Sequence, residues 1–207
     1  EKVEIGARNL NDIKFEIQAP ANEAQVLGKL EGGAVGVFAG TLKHSGDIRA
    51  QVASGEGGRI VLKARGDLTV GQGSQTTADG SKGGQIEIRS EAGSLMVETG
   101  ARISASAAPP AATAPGPTAS QTAPTTPATG GNISLTADQG LLNVQSGARI
   151  AANGAKGGQI LLQARAARVT VEGQLEARGT GHTAVLARVG ENAQKLALVA
   201  AVGRDPV

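Results

Sequence analysis

Two histidines, His44 and His182, and a scatter of carboxylates are the residues that could give this chain acid–base or metal chemistry. No cysteine is present, so thiol nucleophiles, zinc–thiolate sites and disulfides are excluded together. Asp67, Asp79 and Asp138 fall near turn-like segments, and Glu87, Glu91 and Glu98 lie in one short stretch. None of them builds the DxD or DxN spacing of a calcium loop, and the GGxGxDxUx nonapeptide is absent. The histidines sit in KHSG and GTGHT, segments that read as turns, so both are expected at the surface. A phosphate cradle needs a strand, a glycine-rich turn and then a helix, whereas strand-like alternation follows the glycines here. We therefore assign no catalytic, cofactor-binding or metal residue, and the chain reads as non-enzymatic.

The elements behind these residues are unusual. Among 207 residues there are 31 glycines, two phenylalanines, one methionine, and no tyrosine or tryptophan. Aromatics bury about 150–250 Å² each in ordinary cores. A chain without them must fill a narrow, layered interior with Val, Ile, Leu and Ala. The net charge of +2 is spread along the sequence with no basic block, which argues against nucleic acid as a partner. No apolar run approaches the length of a membrane span. The opening EKVEIGARNL has no signal-peptide core, so the chain is expected to be a mature piece or fragment of a longer protein.

Repetition organises the rest. Glycine pairs occur at Gly32 and Gly33, Gly57 and Gly58, Gly83 and Gly84, Gly130 and Gly131, and Gly157 and Gly158. Their first members are spaced by 25, 26, 47 and 27 residues. Aligned on the pairs, the first strand of each repeat carries Val35 and Val37, Ile60 and Leu62, Ile86 and Ile88, Ile133 and Leu135, and Ile160 and Leu162. A second carries Leu68 and Val70, Leu95 and Val97, Leu142 and Val144, and Val169 and Val171. A third carries Ile48 and Ala50, Ile103 and Ala105, Ile150 and Ala152, and Leu175 and Ala177. Each apolar set is spaced by two, so it shares one face of a strand. Three such rows are buried together only if the strands wrap a common axis. The expected fold is all-β: a right-handed parallel β-helix with three sheets and about six coils. The glycine pairs are read as coil corners, needed for positive φ and for close stacking. Gln85, Asn132 and Gln159 follow successive pairs, and their amides are expected to form a ladder along the axis.

The shaft is expected to span 1–189, with less regular coils around Val3, Ile5, Ile13, Phe15 and Ile17 and a turn beginning at Pro20. The long spacing contains an insertion, residues 106–129, which is uncharged and carries six of the eight prolines. Such a stretch buries too little apolar surface to order itself and favours extended polyproline conformation. It reads as a flexible loop leaving one corner, either a tolerated insertion or an O-glycosylated or receptor-touching element. Residues 190–207 read as a cap or tail, with 192–202 open between a last strand and a short helix.

The string QAPANEAQVLGKLEGGAVGVFAGTLKHSGDIRA resembles the exoproteins of two-partner secretion, the filamentous haemagglutinin family. GGRIVLKARGDLTV, GGQIEIRSEAGSLMVETGARISA and GGNISLTADQGLLNVQSGARIAANGAKGGQILLQA are similar to the repeated shaft of that family. The resemblance covers 15–177. It implies export through an outer-membrane transporter, a location outside a Gram-negative bacterium or on its outer surface, no cofactor, and a role in adhesion, aggregation or biofilm through a host-cell or neighbouring-cell ligand. The NPNG-type motif of the family's secretion domain has no counterpart, ARNLND at 7–12 being no match. Two further readings are weighed beside the adhesin shaft. One is a subunit that self-associates end to end into an extracellular filament. The less favoured one is a β-helical enzyme acting on polysaccharides.

Overall fold

The computed structural model describes residues 14–107, 128–179 and 184–189, with side-chain surroundings at 23–107 and 128–179. The expectations for Val3, Ile5 and Ile13, for His182, for most of the insertion and for the segment 190–207 lie outside the described residues. Every regular element within them is a strand, and all strand pairings are parallel. From Ala34 onward the partner of each strand lies about one glycine-pair repeat along the chain, whereas the first pairings, Lys14 with Ala34 and Lys29 with Asp47, span only 20 and 18 residues; an all-β stack results.

Three rows of strands can be followed. The first runs through 14–19, 34–39, Arg59–Ala64, Gln85–Ser90, Asn132–Ala137, Gln159–Ala164 and Ala184–Val189. The second runs through 23–26, 41–44, Leu68–Val70, Leu95–Val97, Leu142–Val144 and Val169–Val171. The third holds Lys29–Gly32, Asp47–Ala50, Gln75–Thr77, Arg102–Ser104, Arg149–Ala151 and Gln174–Glu176. Rows one and two belong to one hydrogen-bonded sheet because the long strands Lys14–Val26 and Ala34–His44 pass through both. Pro20 does not begin a turn. It lies within Lys14–Val26, at the register shift between Ala19 and Glu23. Proline lacks the N–H a regular ladder needs and is tolerated where pairing slips.

The alternating residues meet inside. Ile60, Ile86, Ile133 and Ile160 stack in one column, and Leu62, Ile88, Leu135 and Leu162 in the next, all fully or almost fully buried. Leu95, Val97, Leu142 and Val144 are equally enclosed, whereas Val169 and Val171 are half-buried against the same core. Each fully buried aliphatic side chain contributes about 1.5–3 kcal/mol of transfer free energy. Because columns repeat the same shapes, the interior is a layered, mainly aliphatic core, and no phenylalanine is buried in it among the residues with described side chains.

The glycine pairs are corners for one of the two reasons the sequence suggests. None of the ten has a positive φ; Gly55, Gly73, Gly100 and Gly147 do instead. The last three stack at the corner between rows two and three, inside the four-residue connections of their repeats. In the four later pairs the second glycine serves close approach, whereas a methyl on Gly33 would meet only the Val52 side chain at an ordinary 3.6 Å. A methyl on Gly58 would overlap the carbonyl oxygen of Gly33, one on Gly84 that of Gly58, one on Gly131 that of Gly84, and one on Gly158 that of Gly131. The backbones of successive repeats touch along this column.

Candidate functional site

The corner that leads from row three back to row one carries the insertion, and three side chains shape it. Register places Asp79, Ser106, Asn153 and Arg178 above one another. The Asp79 Oδ1 accepts the backbone N–H of Ser106, the Ser106 hydroxyl accepts that of Asn153 at 3.2 Å, and the Asn153 Oδ1 accepts that of Arg178 at 2.8 Å. The side-chain oxygen of one repeat thus receives the amide of the next at the same position. Short Asp, Ser and Asn side chains reach neighbouring backbone donors readily, which is why they suit corners.

The loop is rooted in this ladder. Ala107 pairs with Gly80 and donates its N–H to Asn153 O at 2.7 Å. On the far side Lys156 donates to Ala128 O at 3.0 Å, and Gly83 to Thr129 O at 2.9 Å. Residues 107 and 128 therefore occupy the places that Gly80 and Ser81, or Gly154 and Ala155, hold in adjacent repeats. The chain leaves and returns between neighbouring positions of one corner, so the stack above and below keeps its register.

A second ladder of the same kind runs between rows one and two. Asp67 Oδ1 accepts the Ser94 N–H at 2.8 Å, and the Ser94 hydroxyl accepts that of Leu141 at 3.3 Å. Leu141 offers no oxygen in turn and is 53% exposed. At the corner between rows two and three the direction reverses: Glu98 accepts from Gln72 N–H at 2.9 Å, and Gln145 from Thr99 N–H at 3.2 Å.

The carboxylates that could have served a metal or a proton are consumed by these ties. Asp67, Asp79 and Glu98 bind backbone amides, and Asp79 also accepts the Ser104 hydroxyl at 2.6 Å. Asp138 lies between the Arg89 of one neighbour, at 2.5 Å, and the Arg165 of the other, at 3.4 Å. Glu87 meets Arg59 at 3.6 Å and Glu91 meets Lys63 at 2.7 Å, and the Lys63 hydrogen bond holds the Glu91 carboxyl below its ordinary range. Exposed pairs of this kind contribute little singly, but each joins one repeat to the next. Among the described residues no group of three His, Asp or Glu side chains could hold a metal ion.

His44 is not at the surface. It is 0% exposed and stands in the inward column of row two, in line with Val70, Val97 and Val144. Its Nε2 lies 3.2 Å from Gln75 O, while Nδ1 has no hydrogen-bond partner. Burial pushes the imidazole pKa down, against the opposing pull of the Gln75 and Val26 carbonyls and the Asp47 charge. Thr76, in the inward column of row three with Ile48 and Ile103, likewise has an unpartnered hydroxyl. KHSG reads as a turn because its polar residues mask the last inward position of a long strand.

The amides of Gln85, Asn132 and Gln159 are in register and exposed, yet no hydrogen bond joins them among the described residues. Water competes for amides at an exposed site, and holding two long side chains together costs rotamer entropy. Glu31, Gly32, Arg49 and Gln51 line an open polar depression on row three, where Lys29 lowers the Glu31 pKa. No family model, curated protein or solved structure matches the chain. No helix of the described residues is long and apolar enough to cross a membrane.

Proposed function

We propose that this chain is a shaft segment of a secreted, haemagglutinin-like surface exoprotein: a right-handed β-helix of about six coils, its strands in three rows, that presents the 106–129 loop for contact with a cell-surface partner. The observation that carries the reading is the rooting of the loop. Both of its ends are fixed by backbone bonds in one corner, between Ala107 and Ala128, while the repeats on either side stay in register. A stack that admits an added segment at one corner without losing register suits a spacer and presenter. The use of the acidic residues in ties between repeats supports a mechanical rather than a catalytic role. In this reading the protein leaves a Gram-negative cell through an outer-membrane transporter and acts without a cofactor.

Electron microscopy of the purified chain combined with a cell-binding assay tests this. Monodisperse short rods that bind cells through the loop, and lose binding when 108–127 is removed, are expected. Long fibres would replace the shaft by an end-to-end filament. Turnover of acidic polysaccharides would replace it by an enzyme.

A further inference from the structure

The chain contains one Asn–Gly dipeptide, Asn153–Gly154, and it lies in the ladder that roots the loop. An Asn followed by Gly is the pair in which the next backbone nitrogen reaches the side-chain amide carbon with least hindrance. Here every polar contact of the pair toward the following repeat restrains that approach. Arg178 N–H donates to Asn153 Oδ1 at 2.8 Å, Gly154 N–H donates to Arg178 O at 3.0 Å, and Asn153 Nδ2 lies 3.5 Å from Glu176 Oε2. All three contacts come from 176–178, at the end of the strand Gln174–Glu176. The preceding members of the ladder are Asp79 and Ser106, so the position requires an oxygen acceptor. The amide donor is peculiar to Asn153, and it faces a carboxylate.

We propose that Asn153 is a deamidation site whose reaction is gated by the docking of 174–178 onto the repeat before it. When that segment lifts away, Gly154 N loses its proton to solvent base and bonds to Asn153 Cγ. The Cγ–Nδ2 bond breaks, the nitrogen leaves as ammonia, and a five-membered succinimide remains. Water then opens either carbonyl, giving aspartate or isoaspartate at 153, with no change of oxidation state. While the segment is docked, Arg178 O holds the nucleophile's proton and Arg178 N–H fixes the side-chain carbonyl. The product opposes redocking. Aspartate places a second carboxylate against Glu176, which already shares Arg149 at 2.7 Å and Arg178 at 3.7 Å. Isoaspartate lengthens the backbone by one carbon and displaces the Gly154 N–H from Arg178 O. The same aspartate is harmless at position 79, where its neighbours are the Ser104 hydroxyl and the Ser106 amide.

The test incubates the full chain in mildly alkaline buffer, native and in denaturant, and follows the tryptic peptide 150–156 by mass spectrometry. Deamidation at Asn153 is expected in denaturant and to be at least about tenfold slower in the native state, following the local opening equilibrium. Asn153→Ser keeps the oxygen acceptor and should show no modification with unchanged hydrogen-exchange protection at 174–178. Asn153→Asp should lose protection there while the amides of Asn132–Ala137 remain slow. Equal rates in the native and denatured chain would overturn the gating, as would no reaction in denaturant. Unchanged protection at 174–178 in Asn153→Asp would overturn the coupling to docking.

Discussion

Replacing His44 by valine should remove a pH dependence that the wild-type stack carries. The side chain is fully buried in a column otherwise occupied by valines, its Nδ1 lacks a partner, and burial lowers its pKa below the ordinary 6.5. A group with a lowered folded-state pKa binds fewer protons folded than unfolded. Stability is therefore complete above the unfolded value and is lost as pH falls through it and down toward the folded value. The ceiling on this loss, reached only by an imidazole that never protonates in the folded state, is about 1.4 kcal/mol by one pH unit below 6.5. At roughly 2–4 °C per kcal/mol for a chain of this size, the melting temperature should fall between pH 7.5 and pH 5.5 by at most about 3–6 °C from this group alone. At neutral pH the substitution trades the 3.2 Å bond to Gln75 O and some packing volume against relief of imidazole desolvation, so the net change there is small. Far-UV circular dichroism is the suitable readout, since the chain has no tryptophan or tyrosine. The two proteins carry the same carboxylates, so the difference between their pH slopes reports on His44 and its interaction with Asp47. Identical slopes, or a steeper one in His44→Val, would refute the argument.

Removing 108–127 and joining Ala107 to Ala128 restores a corner of the length seen at 78–83 and 152–157, so the melting temperature should stay within a few degrees; a large drop would show that the insertion packs on the stack. Leu135→Ala, in a fully enclosed column, should cost about 2–5 kcal/mol in denaturant unfolding, and Leu135→Asp should prevent folding because its charge has no partner there. Gly84→Ala drives a methyl onto the Gly58 carbonyl, whereas at Gly55 space is open and only the positive φ opposes a side chain. Gly55→Ala should thus cost about 1–2 kcal/mol, with Gly84→Ala costing distinctly more, and equal effects in parallel melts would contradict the close-approach role.

The rows could be read from the sequence wherever the inward residues are apolar, because period-two alternation repeats at one spacing. They could not be read where a polar side chain takes an inward place. His44 and Thr76 hid the second row at 41–44 and the third at Gln75–Thr77, and Ser90, which donates to Gly66 O at 2.7 Å, is a third such substitution. The corner ladders were missed for a different reason. Asp67 with Ser94, and Asp79 with Ser106 and Asn153, form columns only when the turns are aligned as strictly as the strands. Single Asp, Ser and Asn residues in turns have many local uses, so type alone did not reveal bonds to the next repeat. The amides of Gln85, Asn132 and Gln159 show the converse: alignment located the column, but exposure removed the bonding expected of it.

The two forward-running ladders give the stack a sense of direction. At two of three corners the earlier repeat supplies the side-chain oxygen and the later one the amide: Asp67 before Ser94, and Asp79 before Ser106 before Asn153. A partly built stack therefore presents, on its C-terminal edge, acceptors already held in place for the repeat still to come. Its N-terminal edge presents backbone amides at those corners, whose oxygens belong to a segment that would have to be ordered first. We infer that growth toward the C-terminus is the easier way to assemble this protein. Pulse-labelled hydrogen exchange during refolding should find Arg59–Ala64 protected before Gln159–Ala164, and the opposite order would reverse the inference.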